Sequence, residues 1–134
     1  MHRTYQCYDP KTGRIFSTVT VSEDIAEHMQ AQGEALIEGD GNDLEHFIDV
    51  SISPPKIRER PKQTTRQDKT HIKADGEDMM TLSGLPIPCN ISINGTAFDV
   101  KDGLLEMTTL LPGDYVIRAE AFPFVDWEGK VTAL

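Results

Sequence analysis

Hydrophobic and polar residues alternate along most of the second half of the chain. In the runs Ile91–Ile93, Phe98–Val100 and Tyr115–Ala119, every second residue is apolar. A period of two is typical of strands that bury one face. Together with turn signals roughly every eight to twelve residues, it predicts an antiparallel β-sandwich for residues 74–134.

Three turn signals separate these runs. Asn94-Gly95 is the strongest short hairpin signal, because both residues tolerate positive φ. Asp102-Gly103 and Pro112-Gly113 are further turn dipeptides between apolar runs. We expect each of the three to close a hairpin.

The first half carries a different pattern, in which one helical segment interrupts β-prone runs. Ser22 precedes EDIAEHMQAQ, which has acidic residues in its first turn and Gly33 just after its end. Those are N-cap, helix-dipole and C-terminal signals, so we expect a helix of about ten residues. Residues 1–52 are predicted to form a small ββαββ module with the strands Arg3–Tyr8, Arg14–Val21, Glu34–Glu38 and Glu45–Val50.

A segment of different composition joins the two halves. Residues 53–73 contain three prolines and almost no apolar residues. Such a segment buries too little surface to offset its conformational entropy, so we expect an extended linker with no residue in either core. The prediction is a mostly β protein with an α+β module at 1–52, a basic linker at 53–73 and a β-sandwich at 74–134.

Charge follows the same division. Residues 1–52 and 74–134 each carry three basic and ten acidic side chains, whereas residues 53–73 carry seven basic and two acidic ones. The formal net charge of −9 argues against general nucleic-acid binding. Three interpretations of the linker stay open: a solvated spacer, a segment that docks on an acidic partner surface, or a contact with nucleic acid.

The sequence contains no recognisable catalytic or metal-binding motif. The four histidines, at positions 2, 28, 46 and 71, lack metal-ligand spacing. The loop Gly39–Asp43 resembles part of a calcium loop without its closing Glu, and a turn in which Asp and Asn bond their own backbone explains it equally well. Nucleophile-elbow, P-loop and Rossmann glycine patterns do not occur. We therefore predict a protein that is not an enzyme and uses no cofactor, metal or small-molecule substrate.

Neither a membrane span nor a secretory leader is recognisable. No apolar run approaches the roughly twenty residues that cross a bilayer, and MHRTYQCYDPKTG lacks an apolar signal core. Cys7 and Cys89 fall in different modules without a paired framework, so free thiols are expected. These features favour a protein made in the cytoplasm that has no membrane partner.

Two groups of residues are candidates for partner binding. The linker cations could attract an acidic surface, and the aromatic residues around Pro123 either close one end of the sandwich or make an exposed contact. The candidates are Lys56, Arg58, Arg60, Lys62, Arg66 and Lys69 in the first group and Phe122, Phe124 and Trp127 in the second. Because no linker residue is expected in a core, replacing the first four cations by Gln should leave both modules folded.

Several motifs occur in a recognisable order. LSGLPIPCNISING is followed by VKDGLLE and then by PGDYVIRAEAFPFVDWEG. This order resembles the C-terminal Ig-like part of small structural proteins of tailed bacteriophages. In the first half, YDPKTGRI and the later EALIEGDG and HFIDV resemble the N-terminal part of the same proteins, whose joint is shorter and less basic than KIRERPKQTTRQDKTH.

The resemblance implies a virion protein of the tail, or of its junction with the head or fibres, assembled in the host cytoplasm. Its partners would be other virion proteins and copies of itself, and no catalytic residues are implied. Two alternatives stay open. One is a cytoplasmic chaperone or adaptor for tail or fibre assembly, and the other is a head-decoration or host-adhesion module.

Overall fold

The computed structural model describes all residues, Met1–Leu134. The chain forms two compact units, unit 1 (Met1–Arg60) and unit 2 (Pro61–Leu134). Both units are mostly β, as predicted from the β-prone runs of the first half and the alternating pattern of the second. The elements are β1 (His2–Tyr8), β2 (Ile15–Ser22), α1 (Glu23–Ala31), β3 (Leu36–Glu38), β4 (His46–Asp49), β5 (Lys56–Glu59), β6 (Arg66–Gln67), β7 (His71–Ile72), β8 (Met80–Ser83), β9 (Cys89–Ile93), β10 (Thr96–Val100), β11 (Leu105–Met107), β12 (Gly113–Glu120) and β13 (Trp127–Ala133).

Unit 1 contains a three-stranded antiparallel sheet of order β2-β1-β3. Tyr5, Cys7 and Leu36 of the sheet form a buried cluster with Ala26 of α1. Ser22 is the N-cap of α1, because its side chain accepts a hydrogen bond from the backbone of Ile25. The predicted order ββαββ is confirmed for the elements from β1 to β4.

Unit 2 is formed by two sheets around one core. The five-stranded sheet has the order β10-β9-β12-β13-β7, and the three-stranded sheet has the order β11-β8-β6. Ile91 and Ile117 of the first sheet share a core cluster with Met80 and Leu82 of the second, and all four are 0% exposed. The sheets are antiparallel as predicted, except that β7 runs parallel to β13.

Two details give this sandwich the Ig-like arrangement. Its first strand is divided, since β6 pairs with β8 in one sheet while β7 pairs with β13 in the other. At the start of β12, the hydroxyl of Tyr115 donates a 2.7 Å hydrogen bond to the carbonyl oxygen of Leu111. Such a tyrosine corner, where the chain crosses between sheets, is typical of Ig-like sandwiches.

Only one of the three predicted hairpins is present. Asn94 and Gly95 join β9 to β10 with φ values of 47° and 87°. The turns Asp102-Gly103 and Pro112-Gly113 instead lead the chain from one sheet to the other, since β11 pairs with β8. A turn dipeptide fixes a local reversal of the chain, whereas burial of apolar faces decides which sheet the next strand joins.

The expected extended linker is also corrected by the structure. β5 pairs with β4 over four residues, and β6 and β7 join the two sheets of unit 2. Ile72 is 2% exposed and belongs to the core of unit 2, so the expectation that no residue of 53–73 lies in a core is wrong. The prediction considered only the apolar side chains of this segment, whereas its short strands are also stabilised by backbone hydrogen bonds to neighbouring strands.

Candidate functional site

The linker cations are partly neutralised within their own units. In unit 1, Nε of Arg58 lies 2.8 Å from Oδ2 of Asp49 across the β4–β5 pair. In unit 2, Nζ of Lys69 lies 2.8 Å from Oδ1 of Asp78. The basic segment therefore complements the acidic residues beside it, which gives its charge a structural use.

The remaining candidate cations differ in their surroundings. Nη1 of Arg60 donates a 2.9 Å hydrogen bond to the carbonyl oxygen of Asp43. Replacing Arg58 or Arg60 by Gln would thus remove contacts within unit 1, and the expectation that both modules stay folded after these substitutions stays a prediction. Three cations are exposed and form no ion pair within 4 Å, and they stay candidates for partner binding: Lys56, Lys62 and Arg66.

Acidification should weaken unit 2 through the Lys69–Asp78 pair. The pKa of the Asp78 carboxyl lies below its ordinary value, because Lys69 and the backbone of Lys73 donate hydrogen bonds to it. A carboxyl group whose pKa is lowered by folding stabilises the folded state at pH values above its unfolded pKa, which is about 3.9 for Asp. That contribution is lost as the pH falls through the folded value. Urea unfolding followed by the fluorescence of Trp127, the only tryptophan, should give a smaller free energy of unfolding at about pH 2.5 than at about pH 6.

Asp78→Asn is the matched control for this effect. It keeps the size of the side chain and removes its charge, so it should be less stable than the original chain at about pH 6. The difference between the two should shrink as the pH falls towards the folded pKa of Asp78, because protonation of Asp78 removes the charge that Asp78→Asn lacks. An equal difference at both pH values would contradict the assignment.

The aromatic candidates take two different positions. Trp127 packs against the core of unit 2, and its ring lies over Gly129, where an added Cβ would collide with it. Trp127 therefore contributes to packing in unit 2, and its use as a partner contact stays a prediction. Phe122 and Phe124 are half-buried and lie in the loop between β12 and β13, and both line a groove of about 340 Å³.

This groove combines apolar surface with carboxylates. Ile87, which is 68% exposed, shares the lining with Phe122 and Phe124, while Asp99 and Glu120 supply negative charge. The chemistry suits a segment that presents an apolar side chain next to a basic group.

Cys89 also lines the groove but is not an activated nucleophile. Its thiol is buried, and burial raises its pKa, so the thiol stays protonated near neutral pH. Cys7 is likewise a free, buried thiol with a pKa raised by burial, in the cluster of unit 1.

The acidic loop after β3 bonds to its own backbone. Oδ1 of Asn42 accepts hydrogen bonds from the backbone nitrogens of Leu44 and Glu45, at 3.1 and 2.9 Å. This is the side-chain turn that competed with calcium as an explanation of the loop. No group of three or more His, Cys, Asp or Glu side chains is placed to hold a metal ion, and no helix is long and apolar enough to cross a lipid bilayer.

One exposed apolar feature was missed from the sequence. Leu110 and Leu111 are 72% and 71% exposed at the turn before β12. Thr109 and Tyr115 fix this turn, because the backbone of Leu111 bonds to both side chains. The sequence feature that could have predicted this exposure is the position of the two leucines, which directly precede a Pro-Gly turn and lie outside the alternating pattern.

Comparisons with known proteins leave the function open. No protein-family model matches the sequence, and no curated protein is significantly similar to it. Among solved structures, the chain is similar to a glycosyl hydrolase family 2 (GH2) member from Bacteroides cellulosilyticus, at 14% identity and a TM-score of 0.42, over 98% of this chain and 22% of that one. A GH2 member from Bacteroides cellulosilyticus DSM 14838 gives 14% identity and a TM-score of 0.41, over 97% and 23%. The chain spans less than a quarter of either solved chain, and a likeness at this level carries no argument about function.

Proposed function

We propose that this chain is a non-enzymatic structural protein of a tailed-bacteriophage virion, located in the tail or at its junction with the head or fibres. The observation that carries the proposal is the order of motifs in the second half, from LSGLPIPC through VKDGLLE to PGDYVIRAEAFPF. In the proposed role, units 1 and 2 contact different neighbouring subunits.

The described surfaces support this role. Unit 2 presents the fixed pair Leu110 and Leu111 and the groove lined by Phe122 and Phe124. Apolar side chains on an ordered turn and in a preformed groove suit a protein interface, since the backbone that carries them needs little further ordering when they are buried. Because virion subunits are repeated, weak single contacts become strong when many copies engage together.

The proposal differs from the initial expectation in the role of residues 53–73. These residues pair within the units and are not an extended tether between them. Bridging is therefore assigned to surfaces of the folded units, with Lys56, Lys62 and Arg66 as the remaining basic contacts.

Mass spectrometry of purified particles tests the proposal. Tailed particles from a host that produces the chain would be banded by density and their proteins quantified against the major capsid protein. A structural protein should appear at a constant ratio that does not change on repeated banding. A chain found in the lysate but absent from the particles would overturn the structural role and favour the assembly chaperone.

A further inference from the structure

The outer edge of β2 is the longest unpaired strand edge in the protein. Sheet order β2-β1-β3 leaves β2 paired with β1 alone. No other backbone segment forms a hydrogen bond with Ile15–Ser22 from the outer side. The N–H and C=O groups that point away from β1 can therefore accept a further strand.

Every other sheet edge is short or charged. β3, β6, β7 and β11 contain two or three residues each, and β10 carries Asp99. The two-stranded sheet of β4 and β5 also contains charged residues: Asp49, Lys56, Arg58 and Glu59. Short length and charge are the usual means by which proteins prevent edge-to-edge pairing. β2, with eight residues and neither charge, proline nor glycine, has none of these protections.

The side chains of β2 suit strand pairing. Its sequence, IFSTVTVS, consists largely of β-branched and aromatic residues, which favour strands. Phe16 is 66% exposed, and Ser17, Thr18 and Thr20 are exposed as well. An added strand would give these residues cross-strand partners.

The charges at the two ends of β2 indicate which strand fits. Arg14 precedes β2, and Glu23 and Asp24 follow it in the first turn of α1. Arg3 forms an ion pair with Glu23 at 2.9 Å, whereas Asp24 has no ion pair. Two β2 strands in antiparallel orientation bring the basic end of each beside the acidic end of the other, while a parallel pair would bring like charges together.

We propose that two copies of this chain associate by antiparallel pairing of β2 with β2 of the second copy, which joins the two three-stranded sheets into one. A twofold axis perpendicular to the sheet at Val19 places Thr18 of each copy opposite Thr20 of the other. The same axis brings Arg14 towards Asp24 of the second copy. Such an interface is isologous. It follows from the geometry of unit 1 and does not depend on a role in a virion.

The association should be weak for an isolated pair of molecules. Pairing of one strand from each copy buries less than the roughly 1,600 Å² of a standard interface. Sedimentation velocity of the full chain should therefore be run up to about 1 mM, a concentration that still detects a binding free energy of only about −4 kcal/mol. The expected result is a reversible, concentration-dependent dimer. A chain that stays monomeric over the whole range overturns the proposal.

Three variants test the edge itself. Thr20→Lys places a charge in the middle of the edge strand and should weaken the dimer at least about tenfold, since charged side chains on an edge strand, Lys above all, oppose edge pairing. Thr20→Val removes the same hydrogen bond to Thr4 without adding charge and should retain the dimer. Gln30→Lys adds the same charge at an exposed position of α1 and should also retain it. Circular dichroism checks that each variant is folded, and a dimer unaffected by Thr20→Lys overturns the proposal.

A charge exchange tests the orientation. Arg14→Glu and Asp24→Arg should each weaken the dimer, by about two- to fivefold per surface contact. The double variant restores opposite charges at both ends of an antiparallel pair and should recover the affinity of the original chain. A double variant that is no better than either single variant overturns antiparallel self-pairing.

Discussion

Gly13→Ala is expected to destabilise unit 1 by on the order of 3 kcal/mol. Gly13 has φ +83°, and an added Cβ would collide with the carbonyl oxygen of Ile48. The carbonyl oxygen of Gly13 accepts a 2.8 Å hydrogen bond from the backbone nitrogen of Ile48, and Ile48 is 0% exposed. The turn between β1 and β2 would have to move away from β4, and a unit of this size has little stability to lose.

The substitution Gly33→Ala measures the cost of backbone strain in the absence of a steric collision. Gly33 also has a positive φ, +93°, but nothing lies within 4 Å of its added Cβ. Gly33→Ala should therefore lower the free energy of unfolding by about 1–2 kcal/mol, which is the cost of placing an alanine in the left-handed region. Hydrogen exchange measured on peptides from residues 1–60 would compare the two variants, and equal effects would show that the contact with Ile48 is not what makes Gly13 necessary.

Leu82→Ala is expected to destabilise unit 2 by about 2–5 kcal/mol. Leu82 lies on β8, is 0% exposed, and belongs to the cluster that both sheets share. Truncation leaves a cavity that the facing sheet cannot fill without moving. The loss would be a large fraction of the stability of a small domain, which is typically about 5–15 kcal/mol.

Leu111→Ala is the matched control in the same unit. Its side chain is 71% exposed, so the same truncation should change the free energy of unfolding by no more than about 0.5 kcal/mol. Urea unfolding read from Trp127 compares the two, because this residue packs against the core that Leu82 occupies. A loss of several kcal/mol in Leu111→Ala would mean that the exposed leucine pair has a packing role.

Elements with local signals were predictable from the sequence. Ser22 caps α1, and Asn94-Gly95 turns β9 into β10, because these interactions join residues close together in the chain. The predicted fold class follows from such signals together with the alternating pattern.

Elements that depend on distant partners were not predictable in the same way. β7 is two residues long and pairs with residues of β13 that lie 61 positions further along the chain. Nothing in the composition of residues 53–73 indicates that partner, and Ile72 is one of only two isoleucines in a basic segment. The pairing comes from the assembled sandwich, since a strand this short has little stability of its own.

The candidate site shows the same limit. The sequence indicated that Phe122, Phe124 and Trp127 cluster, but the choice between core and surface depended on Gly129, which leaves room for the indole ring of Trp127. Similarly, the excess of basic residues in the linker is visible in the sequence. Their ion pairs with Asp49 and Asp78, in contrast, can be seen only in the folded structure. Whether the remaining residues bind a partner stays a prediction.

The parallel pair of β7 and β13 gives unit 2 a mechanical property. Because the two strands run in the same direction, tension between the start of unit 2 and its C-terminal end pulls them past each other lengthwise. Their hydrogen bonds then carry the load together instead of breaking one at a time. These bonds run from Thr132 N to Thr70 O at 2.9 Å, from Leu134 N to Ile72 O at 3.0 Å and from Ala74 N to Leu134 O at 2.9 Å. The Ig-like unit is thus braced against stretching along the chain by the very segment whose composition suggested a loose tether.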